Sequence, residues 1–390
     1  MTLGEVRRLF VPEAPTLDVG ALLRGYLSPR PFTLPFGRQT LLFAFARDAL
    51  LQGLQALRLE QGEEVLVPAF ICDAVLQPFQ ALGVNVRYYE VTPRLEPELS
   101  DLQARITGAT RAVLHVHFFG FPSGIDAVAD LCRARGLALI EDCAHASFSR
   151  SGERHLGSVG DLSIFSFRKF AGLGDGGALV VNRAGLEIDP PVLCSPPPGL
   201  RTGLELCELG AKRVLRRLPV AAVALRSVWA ASGLTRAGSA PSAAADGEAV
   251  VPLCRGISGP ARRMLSAVDV PESCRRRQEN FALWLDLART LPGVVPIYET
   301  LPPGVVPYHF PVRVPDRRTL LRRMSRGGVF LEPTFDQAPI RHRSVVTNRQ
   351  EFFPVTECLA REIVSLPVYQ ELGAGILASL AAAIRRELNG

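Results

Sequence analysis

Lys169 sits in the segment Phe165-Ser-Phe-Arg-Lys-Phe-Ala-Gly-Leu-Gly-Asp-Gly-Gly177 and is one of only two lysines among the 44 basic residues of this 390-residue chain. A primary amine that can lose its proton attacks a carbonyl to form an imine, whereas a guanidinium with a pKa above ~12 stays protonated and cannot. A composition so far toward arginine retains a lysine for few reasons other than chemistry of this kind. Lys169 is therefore the candidate lysine for pyridoxal 5'-phosphate. A surface lysine surviving beside a Gly-rich turn is the alternative. Lys212, in the basic run Lys212-Arg-Val-Leu-Arg-Arg217, reads as one.

Pyridoxal phosphate also needs a carboxylate for its ring nitrogen, donors for its phosphate and a face for its ring. Asp142 ends the apolar run of Leu137-Ala-Leu-Ile-Glu-Asp-Cys-Ala-His-Ala146 and is placed for the ring nitrogen. An aspartate capping the turn after a strand is the other reading. His145 could bond the cofactor's phenolic oxygen or stack on the ring, or be a satisfied turn histidine. Phosphates are held by backbone N–H groups at helix N-termini. Ala46-Arg47-Asp48 opens the first strong helical pattern and offers such a terminus, with Arg47 as an added cation. Asp48 also fits a plain helix-dipole partner. Ser166 could add a hydroxyl.

The elements that must position these groups alternate. Helical periodicity over Asp48–Leu59, Ala74–Leu82, Glu98–Ile106 and Ile125–Arg135 is interleaved with β-rich runs at Glu64–Val67, Val84–Tyr89, Ala112–His117 and Leu137–Glu141. This pattern predicts an α/β fold with a parallel sheet wrapped by helices. In such sheets the ligand crevice lies beyond the carboxyl ends of the strands, where Asp142 falls. Leu162–Phe167 and Ala178–Val181 flank Lys169 as a hairpin-like pair of late strands. Further on, the spacing predicts helices over Glu272–Leu291, Arg317–Arg326 and Ile376–Leu388, with a β-like run at Val305–Val312.

Length and composition bound the function. At 42.3 kDa two domains are expected. A net charge of +6 favours anionic small molecules. The arginines are spread along the chain without a nucleic-acid-binding motif, so no nucleic-acid partner is expected. The eight cysteines show no Cys-x-x-Cys pair and no zinc-ligand spacing, which predicts no metal site and free thiols in a reducing cytoplasm. The longest apolar stretch, Leu218–Leu234, is broken by Arg226 and falls short of the ~20 residues of a membrane span.

Several segments in fixed order resemble the DegT/DnrJ/EryC1/StrS family of pyridoxal-phosphate-dependent sugar aminotransferases. They are Gly62-Glu-Glu-Val-Leu-Val-Pro68, His117-Phe-Phe-Gly120, Glu141-Asp-Cys-Ala-His-Ala146, Phe353-Pro-Val-Thr-Glu357 and Ser365-Leu-Pro-Val368. The resemblance implies a fold type I transferase. It would have a large domain over 1–189 with a mostly parallel, seven-stranded type of sheet and a smaller C-terminal α/β domain over 258–390; the stretch 190–257 between them, Pro-rich at Pro196-Pro-Pro198, basic around Lys212 and low in complexity at Ser239–Ala245, lies largely outside the resemblance and reads from its composition as a helical excursion and flexible linker. The resemblance implies Lys169 as the cofactor-bearing lysine and proton shuttle, Asp142 on the ring nitrogen, His145 near the ring and Ser166 on the phosphate. It further implies a homodimer that takes an amino donor such as glutamate and a keto acceptor such as a nucleotide-linked sugar.

Three features depart from the family pattern. Only Arg168 separates Ser166-Phe167 from the lysine, where three residues are usual. Cys72 stands where an aromatic would stack on the ring, a role that Phe70 could take over. The G-x-N-x-R-M-like segment is reduced to a faint echo in Pro260-Ala-Arg-Arg-Met264. A sugar dehydratase on the same scaffold, or a non-enzymatic regulator, is the alternative; family members of the dehydratase kind replace the lysine by histidine.

Overall fold

A computed structural model describes residues 11, 15–16, 18–28, 31–186, 188, 207, 210–211, 254–326 and 329–389. The helical excursion and linker expected over 190–257 therefore lie, but for 207, 210–211 and 254–257, outside the described residues.

Strand β1 (Gln39–Phe43) precedes helix α1 (Ala46–Ala56), and the chain then alternates through β2 (Glu64–Pro68), α2 (Asp73–Leu82), β3 (Asn85–Tyr89), α3 (Leu99–Ala104), β4 (Thr110–Val116), α4 (Ile125–Arg135) and β5 (Ala138–Cys143). A short β6 (Arg150–Ser151) and β7 (Arg154–His155) form a hairpin. Strand β8 (Leu162–Ser166), helix α5 (Phe167–Ala171) and β9 (Gly177–Val181) follow. One seven-stranded sheet takes the order β1-β9-β8-β5-β4-β2-β3. The neighbours are parallel except where β9 runs against β8 and β1. The hairpin-like pairing expected of the two late strands is this β8–β9 contact. The buried strands read as continuous apolar runs because helices cover both faces of the sheet.

The C-terminal part holds α6 (Gly259–Leu265), α7 (Val270–Ala288), β10 (Val295–Pro296), β11 (His309–Arg313), α8 (Arg317–Arg326), α9 (Pro354–Glu362), β12 (Ile363–Pro367) and α10 (Ala374–Asn389), with a three-stranded antiparallel sheet β10-β11-β12. The two C-terminal motifs are structural. The Glu90 carboxylate accepts from the Val355 and Thr356 amides and the Thr356 hydroxyl, capping α9. The Pro367 carbonyl accepts from the indole N–H of buried Trp284.

Most element ends shift by one to four residues from the sequence reading, and two of the shifts have a clear hydrogen-bonding cause. Helix α1 starts at Ala46 because Asp48 Oδ2 accepts the Phe45 N–H at 3.0 Å, which fixes the first turn. Strand β11 starts at His309 because the preceding residues bond elsewhere: the Tyr308 amide donates to the Phe119 carbonyl and the Val306 amide to Ser149 Oγ, each at 2.9 Å. Among the described residues, no helix is long and apolar enough to cross a membrane.

Candidate active site

A cavity open to solvent lies where the carboxyl ends of β4, β5 and β8 meet the start of α1; Ala46, Arg47, Cys72, Asp142, His145, Ser166 and Lys169 line it. Parallel strands bring this about: Asp142 is paired with Ile164 of β8, two residues before Ser166. The short spacing before Lys169 does not push the lysine away. Phe167–Ala171 coil into a single helical turn, and that turn returns Lys169 to the cavity that Ser166 also lines.

Asp142 is buried, and its Oδ1 accepts from the Ala144 amide at 2.8 Å. Burial pushes its carboxyl above the usual range, against the pull of that amide and of the charges on Lys169 and His117. Beside it, the fully buried Glu141 accepts four hydrogen bonds, from His117 Nε2 at 2.7 Å and from the amides of Gly157, Val159 and Gly160. Burial raises the Glu141 carboxyl, but His117 and the amides outweigh it and hold the group below its ordinary value. His117, Glu141 and Cys143 have the donor types of a metal site. Both Glu141 oxygens are committed to donors, so the cluster acts as a brace that fixes β5 to the loop before β8.

Glu141→Gln would set an amide N–H against backbone N–H donors and break a buried pair, at a cost of about 3–5 kcal/mol. The expected result is a clear drop in the thermal unfolding midpoint at neutral pH. Because the folded carboxyl sits low, this contribution is present above the unfolded carboxylate range and fades as pH falls through the folded value. The gap between variant and parent should therefore narrow in acid.

The Lys169 amine lies 2.9 Å from His145 Nε2 and 5.4 Å from the Tyr308 ring centroid. The His145 ring is stacked between Tyr308, at 4.3 Å and 17°, and Phe335, at 5.7 Å and 13°. Burial lowers the pKa of both groups. At the other end of the cavity, the guanidinium groups of Arg47, Arg168 and Arg255 all lie over the ring of Phe45, at 4.7, 5.6 and 4.7 Å. Arg255 is 6% exposed, and its Nε and Nη2 have no hydrogen-bond partner among the described residues. Gly177 makes this end possible, since a Cβ there would come within 2.3 Å of the Phe45 backbone.

Two of the expected contacts lie elsewhere. The Asp48 carboxylate is turned back to cap α1, and Phe70 is buried against Phe118 and Phe335, so neither lines the cavity. The sequence reading missed Tyr308, Phe335 and Arg255. No periodicity or spacing marks them, because they reach the site from loops and from the far side of the 190–253 segment. It also missed Arg277, a buried guanidinium that donates to the carbonyls of Phe170, Pro307 and Tyr308. Arg277 ties the lysine's helical turn to the C-terminal part.

The residues fit pyridoxal phosphate. A buried carboxyl pushed upward is the environment that a cationic ring nitrogen would relieve. Three guanidinium groups, one with unsatisfied buried N–H groups, surround a helix N-terminus suited to a phosphate.

A profile of the DegT/DnrJ/EryC1/StrS aminotransferase family matches residues 40–194 and 264–385. A dTDP-4-dehydro-2,3,6-trideoxy-D-glucose 4-aminotransferase of Saccharopolyspora spinosa is 39% identical over 132 residues, 33% of this chain and 34% of that enzyme. A UDP-N-acetyl-3-dehydro-alpha-D-glucosamine 3-aminotransferase of Acidithiobacillus ferrooxidans is 30% identical over 148 residues, 37% of this chain and 40% of the enzyme. These matches thus span two-fifths or less of the curated relatives' length. Among solved structures, the aminotransferase TlmJ from Streptoalloteichus hindustanus superimposes with a TM-score of 0.69 at 23% identity, covering 98% of this chain and 99% of that one. Helicobacter pylori PseC, an aminotransferase of pseudoaminic acid biosynthesis, also gives 0.69, at 16% identity with 98% and 99% covered. At these identities the likeness shows the fold, which is that of the fold type I transferases.

Proposed function

This chain belongs to the DegT/DnrJ/EryC1/StrS aminotransferase family, and we propose that it is a pyridoxal-phosphate-dependent aminotransferase acting on a keto group of a nucleotide-linked sugar or similar polyol. The amino donor is an amino acid, with glutamate the first candidate. The observation that carries the reading is the meeting of a half-buried lysine and a buried carboxylate, Lys169 and Asp142, in a single cavity beside a cationic helix terminus. Relatives named for dTDP- and UDP-linked keto sugars support the acceptor class.

Bound pyridoxal phosphate supplies an electron sink for the carbanion left when the donor's Cα loses its proton. The chain's own residues do the rest. Lys169 is the residue that would hold the cofactor covalently, and its amine would carry the proton to and from the donor's Cα. Asp142 keeps the ring nitrogen charged. Ala46, Arg47 and Ser166 bind the phosphate, with Arg168 and Arg255 adding positive field, and His145 faces the ring. Cys72, at the head of α2, lines the same cavity and would lie beside the cofactor.

The test is spectroscopic. Titrating the purified protein with candidate amino acids should convert its visible absorbance to that of the aminated cofactor, and a keto-sugar nucleotide should restore it. A protein with no cofactor absorbance, or one that no amino donor changes, would overturn the reading.

The enzyme is further proposed to be a cytoplasmic homodimer. The N-terminal helical stretch Val19–Leu27 exposes Val19, Leu23, Tyr26 and Leu27 along one side, at 42%, 57%, 51% and 82%, an apolar stripe that a partner would cover. Sedimentation should give a dimer; a monomer with full turnover at nanomolar concentration would refute this.

A further inference from the structure

We infer that His145 is a positioning residue for Lys169, its Nε2–H donating to the lone pair of an uncharged amine and aiming that amine into the cavity. The argument is one of donors and acceptors. A neutral imidazole has one N–H and one bare nitrogen. His145 Nδ1 faces the Phe119 amide N–H at 3.5 Å, a donor held there by the left-handed backbone of Phe119, with φ of 55°. Nδ1 is then the acceptor and the hydrogen sits on Nε2. Across 2.9 Å from Nε2 stands Lys169 Nζ. An ammonium has only donors, so it would set N–H against N–H; an uncharged amine offers the lone pair that the geometry requires.

Tyr308 and Phe335 both stack on the His145 ring and hold its plane. The surroundings act in the same sense. Burial lowers Lys169, and Arg168 adds to it against the opposing charges of Cys72, Glu332 and Asp142. Burial likewise keeps His145 neutral, as the larger cause, with His309 acting in the same sense. Glu332 is drawn aside, with its Oε2 3.3 Å from the Tyr308 hydroxyl and 3.4 Å from His309 Nδ1. The inference rests on the aminotransferase reading only in taking Lys169 as the reactive amine, and its test needs neither substrate nor turnover.

The experiment is trace acetylation of the full-length protein, freed of cofactor with hydroxylamine, using acetic anhydride across pH with N-acetyl-lysine amide in the same tube as reference. With only two lysines in the chain, the Lys169 peptide is assigned directly. Labelling of Lys169 relative to the reference should rise about tenfold or more from about pH 10 to about pH 7, one pKa unit being one decade. In His145→Phe, which removes the donor but keeps an aromatic ring, that rise should shrink by about threefold or more, the share due to burial and Arg168 remaining. His145→Gln, whose amide can donate to the amine, should restore most of it. A flat ratio in the parent protein overturns the inference without any variant, as does an unchanged rise in His145→Phe. If transamination is absent while the rise is intact, the proposed function fails and this inference stands.

Discussion

Lys169→Arg is expected to leave a folded protein that no longer holds its cofactor covalently and has lost turnover by about 10²–10⁴-fold or more, the range for removing a positioned acid–base group. The charge is preserved, so a loss of this size separates amine chemistry from electrostatics. The fold should survive because the lysine's helical turn is anchored through its backbone: Arg277 Nη2 and Gln370 Nε2 both donate to the Phe170 carbonyl, at 2.9 and 3.1 Å. Lys169→Ala should be equally inactive. Borohydride reduction followed by peptide mapping is the check. It should mark the Lys169 peptide in the parent and nothing in the variants, and a variant turning over at near the parent rate would remove Lys169 from the chemistry.

Asp142→Asn should behave differently. The asparagine side chain can keep the acceptor that Asp142 Oδ1 offers to the Ala144 amide, so local structure and covalent cofactor attachment should persist. What goes is the negative charge beside the ring nitrogen. Turnover is expected to fall by about 10²–10³-fold, the scale for deleting one preorganised electrostatic partner. Single-turnover conversion by the amino donor, read from the absorbance change, isolates this step from product release. If Asp142→Asn converts as fast as the parent, another group serves the ring nitrogen.

The two variants probe residues that differ in how far the sequence reveals them. Lys169 is conspicuous because arginine has replaced nearly every other lysine, and Asp142 because it terminates an apolar strand. Both are local signals, and both residues line the cavity. Asp48 carried an equally local signal for two roles, phosphate contact and helix partner. The structure turns it to the cap: Oδ2 accepts the Phe45 amide, and Asp48 does not line the cavity. Phe70 was a choice between neighbours. The alternation of side chains along the loop after β2 buries it against Phe118 and Phe335 while Ile71 and Cys72 reach the cavity.

The sequence by itself determined the α/β class, the alternation of most strands and helices, and the membership of Lys169, Asp142, His145 and Ser166 in one candidate site. It could do so because apolar periodicity, strand-end carboxylates and short motifs are properties of neighbouring residues. Only the tertiary structure decided that Glu141 is a brace, that His145 faces the lysine, that Phe335 lines the cavity, and that Arg255 and Tyr308 lie against the lining residues Phe45 and His145. Those contacts join residues far apart in the chain. Their energies come from burial and from donors matched to acceptors across the packed interface, which no local pattern encodes.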